Sequence, residues 1–133
     1  IDDDSKFEFS HRIEGYLSGK SIEKNFKLSF KKELSAKDIF SKYRDKDSDA
    51  VKFINIYKKN LARSLVIIIT TIDPDAIVFG GGVSNEIDFL DELKAIAAKY
   101  LNEKNLKTVF LKPIYGDASG VRGAALLGRQ NLI

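Results

Sequence analysis

A short apolar run, Ala76-Ile77-Val78-Phe79, leads straight into three consecutive glycines, Gly80-Gly81-Gly82, and then into a helical pattern. A second apolar run, Thr108 to Leu111, is ended by Pro113 and followed by another helical pattern. Short apolar runs bounded by turn residues predict buried strands, here Ala76–Phe79 and 108–111. Strand–helix–strand–helix order requires crossover connections, which join parallel strands and so predict an α/β layer. Two strands make a thin sheet, so more strands are expected from sequence outside this chain. There is no internal repeat and no low-complexity segment.

Helices precede the strands. Tyr16, Leu17, Ile22, Phe26 and Phe30 predict a helix from Glu14 to about Phe30, broken near Ser18-Gly19. Ser35 followed by Asp38 is a capping-box start for a short helix, residues 36–43. Asp47 or Ser48 caps the longest helix, residues 49–71, with apolar positions Val51, Ile54, Tyr57, Leu61, Leu65 and Ile68. Its second half, residues 65–69, is apolar all round and predicts burial between other elements or against another chain. After the glycines, residues 86–101 repeat helical spacing through Leu90, Leu93, Ala97 and Tyr100. Gly116-Asp117 opens a last helix, residues 118–128, whose small residues permit close packing. Phe7 and Phe9 around Glu8 form a short strand-like alternation.

At 133 residues the chain has the length of one domain, short for a two-lobed enzyme. Its net charge of +3 comes from lysines interleaved with Asp and Glu, which predicts solvated faces and no nucleic-acid stripe. With no cysteine there is neither a disulfide framework nor a thiolate metal site, which fits a reducing compartment. A single histidine, His11, excludes a multi-histidine site, and no Ser–His–Asp or Cys–His set can be assembled. The apolar run at residues 65–69 is too short to span a bilayer, so no membrane association is expected. The acidic start Asp2-Asp3-Asp4 lacks the apolar core of a signal peptide. A start at Ile1 with no methionine anywhere predicts a fragment, a processed product or an incomplete sequence.

Three places carry candidate chemistry. The run Gly80, Gly81, Gly82 leaves backbone amides bare at a strand end, where a nucleotide or another anion can approach closely. It is neither a Walker loop nor a Rossmann fingerprint. The alternative is a tight turn needing positive φ, for which one glycine is enough. Asp117, at the start of the last helix, either caps free amides or borders a ligand cleft beside the glycines. Glu14, just ahead of Gly15-Tyr16-Leu17-Ser18-Gly19, is either a solvated helix-start residue or a carboxylate accepting hydrogen bonds from adjacent sugar hydroxyls, with His11 close by.

In order and spacing, these landmarks resemble the C-terminal part of the ROK family of ATP-dependent sugar kinases, which also includes sugar-responsive repressors. The resemblance covers residues 13–129. Ile13-Glu14-Gly15-Tyr16-Leu17-Ser18-Gly19 is similar to the family segment whose glutamate contacts the sugar. Asp73 to Ser84 is similar to its nucleotide-side glycine motif, and Gly116 to Ala125 to its closing helix. The look is closest to N-acetylglucosamine and fructose or mannose kinases.

The resemblance implies an actin-like, ribonuclease-H-like fold of the hexokinase type, with residues 1–133 forming a partial C-terminal lobe and the N-terminal lobe absent. It implies transfer of the ATP γ-phosphoryl group to a hexose or N-acetylhexosamine hydroxyl, with Mg²⁺, by a cytoplasmic enzyme; the long helix, apolar on all faces near its end, predicts a homodimer. Glu14 would bind the sugar and Gly80, Gly81 and Gly82 the nucleotide. The catalytic base and phosphate loop would lie in the absent lobe, leaving this chain inactive alone. The other activity implied is that of a sugar-sensing repressor effector domain, whose DNA contacts would lie elsewhere. One departure stands out: the family's zinc-binding cysteine cluster is replaced by Phe7-Glu8-Phe9-Ser10-His11-Arg12, so no structural Zn²⁺ is expected.

Overall fold

The computed structural model describes residues 14–114. The strand-like alternation at Phe7–Phe9, His11, Asp117 and the helix at 118–128 lie outside the described residues, as do the side chains of Glu14 and Tyr16.

The chain breaks its first helical stretch where Ser18 and Gly19 predict a break. α1 covers Glu14–Leu17 and α2 covers Gly19–Phe30. Ser18 takes an extended conformation and its hydroxyl accepts from the Ser21 amide at 3.3 Å, capping α2. α2 ends at Lys31, which adopts the left-handed conformation common at helix C-termini. α3, Ala36–Arg44, is capped by Ser35 in the same way, and the Ser35 hydroxyl also donates to the Asp38 carboxylate at 2.7 Å. α4, Ser48–Ile72, starts at Asp47, whose carboxylate accepts from the Ala50 amide at 3.1 Å. That hydrogen bond favours the ionised form and holds the Asp47 carboxyl below its ordinary range.

α4 is the spine of the molecule. It packs against α3 on one side and α5, Leu90–Tyr100, on another. Its seam of Phe53, Ile54, Tyr57, Leu61, Leu65 and Ile69 is buried and meets Ile22 and Phe26 of α2, Ile39 and Phe40 of α3, and Leu93 and Ala97 of α5. Edge-on ring pairs, Phe26–Phe53 at 5.3 Å and Phe40–Tyr57 at 6.0 Å, join the helices at the centre. All-round burial of residues 65–69 is not seen among the described residues: Leu65 and Ile69, one turn apart on one face, are buried, Val66 and Ile68 are half-buried, and Ile67 is 61% exposed.

Two parallel strands follow, β1 at Ala76–Val78 and β2 at Val109–Leu111, with Ala76, Ile77 and Val78 opposite Val109, Phe110 and Leu111. The Phe79 amide extends the ladder to the Leu111 carbonyl at 2.9 Å. Parallel pairing agrees with the strand–helix–strand order. Burial does not agree: β1 was expected to be a buried strand, but Ala76 and Val78 are exposed and Ile77 is half-buried. In a strand the side chains alternate between two faces. Ile77 and Phe110 face the helices, whereas Val78, Val109 and Leu111 point to the face that no described element covers.

The helix expected over 86–101 begins later, at Leu90. Ile87 and Phe89 are both buried around the exposed Asp88, an alternation that inserts two side chains into the core from non-helical backbone. Helix formation before Leu90 would pull one of them out.

Candidate functional site

The glycine run begins one residue past the β1–β2 ladder. Gly80 and Gly81 carry no regular structure, and Gly82 opens a single 3₁₀ turn, Gly82–Asn85. Of the three, only Gly81 requires glycine for its backbone, with φ +87° and ψ 171°. A methyl group built on Gly80, Gly81 or Gly82 meets nothing described within 4 Å beyond its chain neighbours. None of the three amides donates to a described residue. One glycine answers to backbone geometry. The other two have no steric reason within the described fold, and all three are exposed.

Two donors hold the far side of this turn. The Ser84 hydroxyl donates to the Gly81 carbonyl at 2.6 Å and the Ser84 amide donates to the same oxygen at 3.1 Å. Ser84 is 3% exposed, buried beside an exposed turn. Nothing in the residue pattern singled it out, although a serine three residues after a turn glycine is a known bridge to the backbone.

The segment that begins with Glu14 comes back to this turn through Gly19. A methyl group on Gly19 would sit 3.5 Å from Val83 Cγ2 and 3.9 Å from Ala36 Cβ, ordinary contact distances. The start of α2, the start of α3 and the 3₁₀ turn therefore converge. α1 is tied down separately: the Tyr57 hydroxyl donates to the Leu17 carbonyl at 3.3 Å and the Asn25 amide group to the Gly15 carbonyl at 3.4 Å. Glu14 is the first residue of this anchored turn.

One charged group departs from the expectation that the lysines form solvated faces. Lys58 of α4 is 2% exposed. Its ammonium donates to the Tyr43 hydroxyl and to the Glu92 carboxylate, each at 2.6 Å, and lies 4.7 Å and 4.6 Å from the ring centres of Tyr43 and Phe89. Burial alone would lower its pKa, but the hydrogen bonds to Glu92 and Tyr43 outweigh it and raise the pKa above the ordinary lysine value. This cluster ties α3, α4 and α5 together. Beside it lies an open cavity of about 550 Å³ lined by Tyr43, Arg44, Phe89 and Glu92 among others.

Among the described residues no group of three or more His, Cys, Asp or Glu side chains lies close enough to hold a metal ion. None of the described helices is long and apolar enough to cross a membrane. The arrangement offers backbone donors at a strand end, set beside the start of two helices.

Comparison with known proteins bears on the family and the fold. Chain segments 40% and 39% identical, each over 86% of this chain, occur in the N-acetyl-D-glucosamine kinases of Histophilus somni (strain 129Pt) and Pasteurella multocida (strain Pm70). The chain spans 38% of the length of these relatives. The crystal structure of a ROK hexokinase from Thermus thermophilus superposes with a TM-score of 0.73 at 21% identity, over 86% of this chain and 40% of that one. At that identity the likeness establishes the fold, α/β of the actin-like hexokinase type, with a small parallel sheet and flanking helices. A family model described as the ROK family matches residues 11–131, and the chain belongs to that family.

Proposed function

We propose that this chain is the C-terminal lobe of an ATP-dependent sugar kinase, with Gly80, Gly81 and Gly82 facing the nucleotide and Glu14 the sugar. The observation that carries the reading is the excess of open glycine. Gly80 and Gly82 need no special backbone angle, an added Cβ at either meets nothing described, and neither amide donates to a described residue. A strand end stripped of side chains in this way suits close approach by a ligand rich in hydrogen-bond acceptors. The relatives named N-acetyl-D-glucosamine kinase supply the substrate class, and an N-acetylhexosamine or hexose is the acceptor on this reading.

In such a reaction a sugar hydroxyl attacks the γ-phosphorus in line, and catalysis comes from positioning and from stabilising the phosphate charge. The described residues provide no carboxylate cluster for Mg²⁺, which would arrive with the nucleotide. On this reading the aspartate that accepts the hydroxyl proton would come from the N-terminal lobe. This chain by itself would then be inactive. The whole protein is proposed to be a cytoplasmic homodimer. Ile67 and Ile72, 61% and 69% exposed on α4, support an apolar contact with another lobe or another copy.

The test is ADP release by the full-length protein from ATP and Mg²⁺ with N-acetylglucosamine, glucose, fructose or mannose supplied singly. Sugar-dependent ADP release with at least one of them is expected. Release with none of the four overturns the kinase reading.

A further inference from the structure

We infer that Ser84 is a positioning residue for the nucleotide, aiming the Gly82 amide at it; the inference rests on the nucleotide reading above. A peptide unit is planar and trans, so the carbonyl of one residue and the amide of the next point in opposite directions. The carbonyl of Gly81 is claimed twice from the protein side, by the Ser84 hydroxyl at 2.6 Å and by the Ser84 amide at 3.1 Å. With that oxygen held inward, the Gly82 N–H in the same peptide plane is held outward. It has no described acceptor there.

The hydroxyl is needed because the turn is otherwise loosely held. Gly81 sits at φ +87° and ψ 171°, a region that only glycine occupies readily, and both flanking residues are also glycine. Glycine has the widest choice of backbone states, so a Gly–Gly–Gly turn needs an external fastener to keep one peptide orientation. The amide bond from Ser84 alone is the ordinary bond of a 3₁₀ turn. The hydroxyl adds a second, shorter bond from a side chain that is 3% exposed and cannot easily swing into solvent. Burial also shields the bond from water, which strengthens it.

Two substitutions in the full-length protein separate aim from fold. Ser84→Ala removes the fastener and keeps every backbone group. Gly82→Pro removes the amide itself: Gly82 is the first residue of the 3₁₀ turn, its φ is not positive, its amide has no described acceptor and an added Cβ meets nothing described within 4 Å, which suits proline at this position. ATP affinity and sugar affinity are measured separately by calorimetry for the wild type and both variants.

The expected result is a loss of ATP affinity of about 5-fold for Ser84→Ala and about 10-fold or more for Gly82→Pro, the size of one charge-assisted hydrogen bond misaimed or lost. Sugar affinity should stay within about 2-fold in both, because the effect is on one peptide and not on the lobe. The double variant should lose no more than Gly82→Pro alone, since there is then no amide left to aim. If Ser84→Ala does not fold, Gly82→Pro still decides the matter: unchanged ATP affinity in that variant overturns the inference. Equal loss of ATP and sugar affinity in Ser84→Ala also overturns it, as does full additivity. A wild type that binds no ATP overturns the nucleotide reading and this inference together, whereas ATP binding that Ser84→Ala leaves intact overturns this inference alone.

Discussion

Lys58 and Glu92 meet at 2.6 Å in an ion pair of very unequal exposure, the lysine side chain 3% exposed and the glutamate 52%. The two ends of the pair are therefore not equivalent. Removing Glu92 leaves a buried ammonium with only the Tyr43 hydroxyl and two rings, whereas removing Lys58 leaves a carboxylate that water already reaches. Glu92 also sits in the first turn of α5, where negative charge complements the helix dipole. Glu92→Ala should cost about 2 kcal/mol and the volume-conserving Lys58→Met about 1 kcal/mol. Urea unfolding of the full-length protein at pH 7 measures both. A larger loss for Lys58→Met would contradict this account of the pair.

Alkaline pH should weaken the fold through two neighbours on α4. Burial pushes the Tyr57 hydroxyl well above its ordinary value of 10.0, and the Lys58 ammonium is raised above 10.5 although burial pulls it the other way. In both cases the native state holds its proton at a pH where the unfolded chain has released it. Stability from these groups is fully present below about pH 10 and declines as the pH rises towards the folded values, by up to about 1.4 kcal/mol per pH unit for each group. Tyr57→Phe cannot ionise. It should lose about 0.5–1 kcal/mol at pH 7 with its bond to the Leu17 carbonyl, yet show a shallower decline between pH 10 and 11. Parallel wild-type and Tyr57→Phe curves of urea midpoint against pH would rule this out.

The helices were legible in the sequence because their signals are local. Ser35 and Asp47 cap where their residue types and positions indicate, and Ile54, Tyr57, Leu61 and Leu65 of the expected α4 seam are buried, but the seam's ends are Phe53 and Ile69, whereas the expected Val51 and Ile68 are only half-buried. Parallel pairing of β1 with β2 also followed, from element order alone. What escaped depends on contacts distant in sequence. Lys58 reads as one more surface lysine until Tyr43, 15 residues before it, and Glu92, 34 residues after it, are brought to the same point. Gly19 reads only as a helix breaker until Val83 packs on it. The start of α5 was misplaced because Ile87 stands three residues before Leu90 and Phe89 four before Leu93, each a helical step, and only the core shows that both are buried together, which a helix does not allow. The exposure of Val78, Val109 and Leu111 has a different origin: the face they occupy has no described partner.

The three glycines should separate into one structural and two functional positions. At φ +87° and ψ 171°, Gly81→Ala should be strained and cost about 1–3 kcal/mol. Gly80→Ala and Gly82→Ala introduce a methyl group into open space at ordinary backbone angles, so stability should stay within about 0.5 kcal/mol or rise slightly, since alanine narrows the unfolded ensemble. Their cost should appear instead in ATP affinity, because the added Cβ occupies the space through which the ligand approaches. Thermal unfolding paired with ATP calorimetry on the three variants reads both quantities. Destabilisation of similar size at all three positions would return the run to a plain turn.

Glu14 should act on the sugar and not on the nucleotide. It is the first residue of α1, a single turn whose carbonyls at Gly15 and Leu17 are gripped by Asn25 and Tyr57, so its backbone is fixed from two other helices. A carboxylate on a fixed backbone can accept from two adjacent hydroxyls, and each charge-assisted bond is worth about 1.5–3 kcal/mol. Glu14→Gln keeps the shape and loses the charge, so the KM for the sugar should rise about 10- to 100-fold while the KM for ATP changes less than about 3-fold. Asn25→Ala, which releases one grip on α1 without touching the carboxylate, should raise the sugar KM by only about 2- to 5-fold, in line with one neutral hydrogen bond. Steady-state kinetics of the full-length protein, with each substrate varied at saturating levels of the other, reads these values. If Glu14→Gln leaves the sugar KM unchanged, Glu14 is a solvated helix-start residue and the sugar must be held from elsewhere.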